Sequence, residues 1–241
     1  MKIEDQSGRM IRSLEEWGAL YDTPRQARQW KQHRSARSVA EFILERNGQQ
    51  HLQTRVADAM GQAVRFDRLV PEYEQRFDEF GRGRVHDLAL FGETADGRSL
   101  FVGVEAKVDE PFGATVLDAY LAAKSKQITG TSTRAPERIE KLLALHFSEP
   151  DPAMFDIRYQ LLYATAGTLA AGADTAVLFV VVFKTPLYDE TIGADNYRDY
   201  LHFINKVGGR ALPLGDKGAI AHELELGGQR LVCLHEYFEL D

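Results

Sequence analysis

Residues 84–108 read RVHDLALFGETADGRSLFVGVEAKV and carry the strongest structural signal in the chain. Two apolar runs, at 84–91 and 100–108, flank a polar segment in which Asp96 and Gly97 form a turn dipeptide. Apolar runs on either side of such a dipeptide are typical of two antiparallel strands joined by a tight connection. The stretch therefore predicts a β-hairpin.

Three charged residues lie on this hairpin, Asp87 on the first strand and Glu105 and Lys107 on the second. Glu105 and Lys107 are two residues apart, so they share one face of the sheet. If the loop is centred on Asp96, Asp87 stands opposite Glu105 at a Cβ separation of roughly 4.5 to 5.5 Å. A loop centred half a residue later pairs Asp87 with Ala106 and puts the two carboxylates on opposite faces. Both registers are open at this point.

The surroundings of these charges indicate what they could do. Two carboxylates held together among leucines and valines repel each other, and burial makes each charge more costly. A divalent cation removes both penalties, and oxygen ligands favour a hard ion such as Mg²⁺ or Mn²⁺. Lys107 beside the ion could orient an attacking water or stabilise charge that develops on phosphate oxygens. The reaction class that needs these groups is phosphodiester hydrolysis.

RVHDLALFG followed by LFVGVEAKVDEPFG resembles the D…ExK signature of the PD-(D/E)xK nuclease superfamily, which includes restriction-type endonucleases. The predicted order of elements is similar as well, and the resemblance covers residues 53–183. One departure is that His86, not proline, precedes Asp87. The resemblance implies an α/β protein with a restriction-endonuclease-like core, a central mixed β-sheet flanked by helices. We expect one domain, with an N-terminal helical extension (1–50), the core (51–185) and a C-terminal helix and hairpin (186–241).

The resemblance also implies residue roles. Asp87, Glu105 and the carbonyl of Ala106 would bind the metal, with Lys107 in the catalytic role. An acid from an element before the Asp strand often joins such a site, and the candidates in PEYEQRF are Glu72, as a metal ligand, and Glu74, closer to the second shell or the substrate. Solvated acids next to Pro71 are the alternative interpretation.

Further candidates for the second shell or for substrate contact follow the hairpin. Gln160 in RYQLLY resembles a glutamine that many members carry on the following helix, and Tyr163 lies one turn further on. Helix surface and core are the alternative roles of these two residues. Asp109 shares the predicted face of Glu105 and Lys107, so it could ligate a second metal or hold Lys107 in position.

Basic residues supply candidate nucleic-acid contacts. Cations recur every three residues around Trp30, which would form a stripe if the segment is helical, and a solvated charged face is the alternative. Arg82 and Arg84 in GRGR precede the Asp strand and could contact a backbone phosphate. The stripe of cations around Trp30 consists of Arg25, Arg28, Lys31, Arg34 and Arg37.

His86, next to Asp87, is expected to be a core histidine whose ring nitrogens have hydrogen-bond partners.

The rest of the chain alternates helices and strands. Extended structure from Val64 is expected to stop at Pro71, and the β-branched run 175–183 predicts a strand buried on both faces. A second hairpin is predicted at 219–226 and 230–239. Helices are predicted at 34–46, 53–60, 114–126, 136–149, 158–171 and 196–207.

Composition limits the compartment and the partners. A single cysteine, Cys233, cannot form an internal disulfide, and the N-terminus has no apolar leader segment, so we expect a cytoplasmic protein without membrane contact. The net charge of −7 argues against a surface covered by nucleic acid. DNA is the partner that the resemblance implies, with RNA still open. Double-strand cleavage by one site per chain suggests a homodimer, for which the second hairpin offers an edge.

Two functions from different classes follow. The first is a metal-dependent nuclease, most simply a DNA endonuclease in a restriction, repair, mobile-element or phage-defence role. The second is a non-catalytic nucleic-acid-binding or protein-interaction module that keeps the nuclease fold, which the acidic net charge favours. In an unrelated α/β domain, the charges of the hairpin would be structural.

Overall fold

A computed structural model describes residues 1–23, 26–149, 151–212 and 220–240. Its seven α-helices and eight strands in these ranges form one α/β unit around a single sheet. In chain order they are β1 (Lys2–Ile3), α1 (Leu14–Gly18), α2 (Ser35–Glu45), α3 (Gly48–Met60), β2 (Val64–Gln75), β3 (Arg84–Thr94), β4 (Ser99–Lys107), α4 (Val116–Ile128), α5 (Ala135–His146), α6 (Tyr159–Leu169), β5 (Thr175–Lys184), α7 (Glu190–Lys206), β6 (Arg210–Leu212), β7 (Ile220–Leu226) and β8 (Gln229–Glu239).

The β3–β4 hairpin has the first of the two registers considered above. Leu88 pairs with Val104, and the ladder continues to Glu93 opposite Ser99. The ladder ends at the Leu88–Val104 pair, and beyond it Asp87 hydrogen-bonds the N–H of Ala106 while Glu105 faces α6, so the expectation that the two carboxylates stand together on one face is wrong. The turn is closed by the N–H of Gly97, which donates to the Thr94 carbonyl at 2.9 Å and lies at a φ of +80°, a conformation that favours glycine. The turn chemistry thus determines which residues stand level with one another.

The sheet is mixed, with strand order β1-β2-β3-β4-β5-β8-β7-β6. β5 runs parallel to both β4 and β8, and nine of its ten residues are buried. This confirms the prediction of a central strand, since its neighbours hydrogen-bond both edges and helices cover both faces. One apolar cluster packs α1, α2 and α3 on the even-numbered residues of β4, and a second packs α4 to α7 on the other face.

Pro71 does not end β2, contrary to the prediction. The strand continues to Gln75, and Pro71 pairs with Leu88. β1 pairs with only Arg68 and Leu69 on the outer edge of β2, where the N–H of Glu4 donates to the Leu69 carbonyl. Pro71, two residues on, faces the same outer side beyond the end of β1. Its missing N–H therefore costs no ladder bond.

The C-terminal hairpin is not the sheet edge that we expected for dimer formation. β8 pairs with β5, and β7 is covered by the short strand β6. In the described part of the chain the sheet ends at β6 and at β1. The N-terminal extension is not only helical either, because β1 adds a parallel strand to β2.

The predicted helices are present with shifted ends. α3 begins at Gly48 and α7 at Glu190, in both cases before the predicted start. The earlier start of α7 has a local cause, since the side chain of Asp189 accepts hydrogen bonds from the N–H groups of Thr191 and Ile192. Among the described helices, none has both the length and the apolar character that crossing a bilayer requires.

Candidate active site

Asp87 lies where the β3–β4 ladder ends. Leu88 and Val104 form the last pair, and one residue further the Asp87 carboxylate accepts a hydrogen bond from the N–H of Ala106 at 2.7 Å. A side chain therefore replaces a backbone carbonyl as partner of β4. This contact ties the first acid of the D…ExK pattern to the middle residue of ExK.

Glu72 is the acid of the PEYEQRF segment that reaches this level of the sheet. It lies between the pairs Pro71–Leu88 and Tyr73–His86, opposite Asp87, and has a φ of +48°, a backbone conformation that few non-glycine residues adopt. The hydroxyl of Tyr21 donates to its carboxylate at 2.6 Å. Burial, and then the charge of Asp87, raise the pKa of Glu72 to about 7.

Glu105 and Lys107 lie on the other side of the strand, under α6. The Glu105 carboxylate pairs with Lys107 Nζ at 2.9 Å and with Arg84, and it accepts a hydrogen bond from Gln160. Lys107 Nζ also donates to Gln160 Oε1 at 3.1 Å. These four side chains form the Glu105 cluster, and Glu105 itself is only 2% exposed.

Aromatic rings complete the walls of the Glu105 cluster. The Lys107 ammonium lies 5.0 Å from the centre of the Phe112 ring, and the Arg84 guanidinium lies 5.1 Å from the centre of the Tyr163 ring. Burial lowers the pKa of Lys107, and the negative charge of Asp87 offsets part of this effect. Gln160 thus bridges Glu105 and Lys107 inside the cluster, and Tyr163 packs against Arg84 at its border.

The acids divide into two groups with different surroundings. Glu72 and Asp87 line a cavity on the side of the N-terminal segment, whereas Glu105 is turned towards α6 and two cations. Within the described residues, no three His, Cys, Asp or Glu side chains are grouped closely enough to hold a metal ion. Glu72 and Asp87 nevertheless fit a divalent cation, because both are oxygen ligands and their mutual repulsion already raises the pKa of Glu72.

Three other candidates lie elsewhere than expected. Glu74 accepts hydrogen bonds from Arg82 and from the N–H of Gly83, so it does not reach the acids. Arg84 is buried in the Glu105 cluster, which corrects its assignment to phosphate contact. Asp109 contacts neither Lys107 nor Glu105, since β4 ends at Lys107 and the alternation of faces ends with it. Asp109 instead pairs with Arg34 at 2.7 Å.

The basic stripe is not one helix. The segment forms a short 3₁₀ turn (Gln26–Arg28), then irregular turns, and α2 only from Ser35. Arg25 lies outside the described residues, and Arg37 pairs with Glu41 along α2. Trp30 does not offer an open stacking platform, because it is partly buried and stacks on Tyr21 at 5.1 Å.

Arg28, Lys31 and Arg34 remain near the acids. All three line the cavity of about 340 Å³ that also contains Glu72 and Asp87. Arg82 is exposed and held by Glu74, away from that cavity. The structure thus keeps three of the predicted basic contacts close to the candidate site.

The sequence analysis missed two residues that line the cavity, Tyr21 and Glu110, and predicted the surroundings of His86 only in part. No local motif links Tyr21 to an acid that lies 51 residues away. Glu110 folds back to accept hydrogen bonds from the N–H groups of Val108 and Asp109. His86 is a buried core residue as expected, yet neither ring nitrogen has a hydrogen-bond partner among the described residues.

Removing the charge of Glu105 should destabilise the fold. In Glu105→Gln, Lys107 and Arg84 stay buried without a counter-charge, so we expect the free energy of unfolding to fall by about 3 kcal/mol in urea denaturation. Glu79→Gln is the matched control, because the Glu79–Lys141 pair is more than half exposed on both sides. Equal losses in the two variants would contradict this account of the Glu105 cluster.

Glu72 should make stability depend on pH. The folded-state pKa of Glu72, about 7, lies above its ordinary value of 4.5, so the unfolded chain releases this proton first as the pH rises. The free energy of unfolding that depends on protonated Glu72 is therefore lost as the pH rises from 4.5 to about 7. In EDTA, we expect Glu72→Gln to exceed wild type by about 1 to 3 kcal/mol at pH 8 and to gain little at pH 5.

The control for this measurement is Glu15→Gln, an exposed substitution on α1 that reports the effect of the amide itself. A Glu72→Gln gain that is the same at both pH values would show that burial next to Asp87 is not its cause.

Comparison with known proteins gives one match. A family model described as a domain of unknown function (DUF6946) matches residues 10–234. No curated protein matches the chain, and neither does any solved structure. The match spans most of the chain, so the chain belongs to the DUF6946 family, and the matched region includes the acids, the Glu105 cluster and the cavity.

Proposed function

We propose that this protein is a metal-dependent nuclease that hydrolyses phosphodiester bonds of nucleic acid, with DNA as the expected substrate class. The observation that carries the proposal is the pair of acids Glu72 and Asp87, which stand level with each other on β2 and β3 and line one cavity. On the other side of β4, Lys107 is buried beside Glu105. Buried acids next to a buried lysine are costly for a fold, and such groups concentrate at functional sites.

The element order supports the same proposal. A helix (α3), three antiparallel strands with the acids (β2, β3 and β4), three helices (α4, α5 and α6) and a strand parallel to β4 (β5) follow one another. This is the order implied by the resemblance to PD-(D/E)xK nucleases. The element order alone would not indicate an activity, because one fold hosts many functions.

Each residue would have a distinct task. Asp87 and Glu72 would hold Mg²⁺ or Mn²⁺, and the bound ion would polarise a phosphodiester and help to ionise a water. The hydroxyl of Tyr21 donates to Glu72 and fixes the direction of its carboxylate. Lys107 would stabilise negative charge on the phosphate oxygens, and Gln160 keeps its ammonium in place.

One observation favours a second candidate function, a nucleic-acid-binding module without turnover. Both oxygens of the Glu105 carboxylate already have cationic partners, Arg84 on one and Lys107 on the other. A site with Glu105 held in this way has two acids for a metal instead of three. Binding without hydrolysis is the outcome that this second function predicts.

Metal-dependent stability and cleavage test the proposal together. Wild type and Asp87→Asn are melted in EDTA and in millimolar Mn²⁺, then incubated with plasmid and with single-stranded DNA. We expect Mn²⁺ at about 100 times its Kd to raise the wild-type Tm by about 5 to 10 °C, and Asp87→Asn to respond weakly. DNA should be cut by wild type and not by the variant.

Asp67→Asn is the control, since it removes the same charge from an exposed position on β2. It should respond to Mn²⁺ and cut DNA as wild type does. If wild type neither responds to the ion nor cuts either DNA, the nuclease proposal fails. If it binds DNA without cutting, the second function takes its place.

A further inference from the structure

The cavity beside the acids has two chemically different walls. The sheet side contributes the carboxylates of Glu72 and Asp87, and the N-terminal segment contributes Arg28 and Lys31. The cavity measures about 340 Å³, near the lower end of the range of about 300 to 1,000 Å³ that small-molecule sites occupy. We call Arg28, Lys31 and Arg34 the basic wall.

Arg28 has no ion pair within the described residues, although most of the arginines there have one, and Lys31 has no ion pair there either. The chain has 36 acidic and 29 basic residues, so carboxylates to pair with are plentiful. Both side chains are instead exposed at the cavity. Although the carboxylates of Glu72, Asp87 and Glu110 line the same cavity, these two cations have no ion partner and can bind an anionic ligand at its opening.

The basic wall is attached to the rest of the fold. Arg34 Nη1 reaches both carboxylate oxygens of Asp109 at 2.7 Å, next to the end of β4. The carbonyl of His33 accepts a hydrogen bond from the Thr185 hydroxyl at 3.0 Å, just after β5. The backbone on either side of Arg34 is therefore anchored next to β4 and β5, which lowers the entropy cost of ordering this segment around a ligand.

The start of α2 adds to the same field. Ser35 and Ala36 in its first turn line the cavity, and no side chain caps this end of the helix. Free N–H groups and the positive end of the helix dipole therefore reinforce the attraction of Arg28 and Lys31 for an anion.

We infer that the cavity holds one nucleotide of an unpaired nucleic-acid strand, with its phosphate on Arg28 and Lys31. The inference rests on the proposed function, and it narrows the substrate to a single strand or an unpaired strand end. A volume of about 340 Å³ suits one nucleotide unit. A continuous duplex would need an open groove, but Tyr21 contacts Glu72 on this side and Arg28, Lys31 and Arg34 border the same cavity. The next phosphodiester along the strand then faces the two acids.

Fluorescence anisotropy in EDTA tests this inference without any hydrolysis. The probes are a labelled single strand of about 12 nucleotides and the blunt duplex of the same sequence. We expect wild type to bind the single strand about tenfold or more tightly than the duplex. Arg28→Ser with Lys31→Ser should weaken single-strand binding and reduce the slope of log K against log salt concentration by about 1.4.

Two further double variants serve as controls. Lys124→Ser with Lys126→Ser makes the same charge change on α4, outside the cavity, and should leave binding unchanged. Arg28→Lys with Lys31→Arg keeps both charges and should retain most of the affinity. A thermal melt of each variant checks that it folds.

The inference would be overturned if wild type bound duplex and single strand with equal affinity. It would also be overturned if the Arg28→Ser, Lys31→Ser variant bound the single strand as tightly as wild type does. A mononucleotide that competes as well as the oligonucleotide would show a free nucleotide as the ligand, which also overturns it. The two proposals fail separately. If wild type binds the single strand through Arg28 and Lys31 but cuts no DNA, only the nuclease proposal is contradicted. If cleavage requires Asp87 but neither Arg28 nor Lys31, only the inference about the cavity is contradicted.

Discussion

The burial of Lys107 and Arg84 against Glu105 is the constraint on which the rest of the site depends. Desolvating two cations is costly, and only a well-placed carboxylate with further hydrogen bonds offsets that cost. β4 provides the setting, since β3 and β5 flank it and α6 covers the face on which Glu105 lies. Gln160 in the first turn of α6 then bridges the acid and the lysine. Sheet order and helix position are thus both linked to one ionic cluster.

The N-terminal segment completes the site from the opposite face. Tyr21 reaches Glu72, and Arg34 reaches Asp109, so residues far apart in the chain surround the same cavity. Burial raises the pKa of Tyr21, which keeps its hydroxyl protonated as a donor to Glu72. The strands alone would leave Glu72 and Asp87 in contact with bulk water. Tyr21 partly shields Glu72 and the segment adds positive charge nearby, and charges interact more strongly where less water surrounds them.

Local patterns were enough to predict the hairpin, the buried strand β5 and the shared face of Glu105 and Lys107, whereas Gln160 was indicated only by the resemblance to PD-(D/E)xK nucleases. The Asp-Gly turn and the apolar alternation are short-range signals, so they survive in a single sequence. Long-range contacts were not predictable in this way. Arg84 gave no sign that it would be buried rather than exposed. Pro71 was misjudged because only the tertiary arrangement shows that its outer edge is unpaired.

X-ray diffraction from crystals grown with Mn²⁺, with the anomalous signal of the ion recorded, tests the central claim most directly. The account predicts an anomalous peak in the cavity, at about 2.1 Å from carboxylate oxygens of Asp87 and Glu72. It would be contradicted by crystals in which no ion lies next to Asp87 while Glu105 remains paired with Arg84 and Lys107.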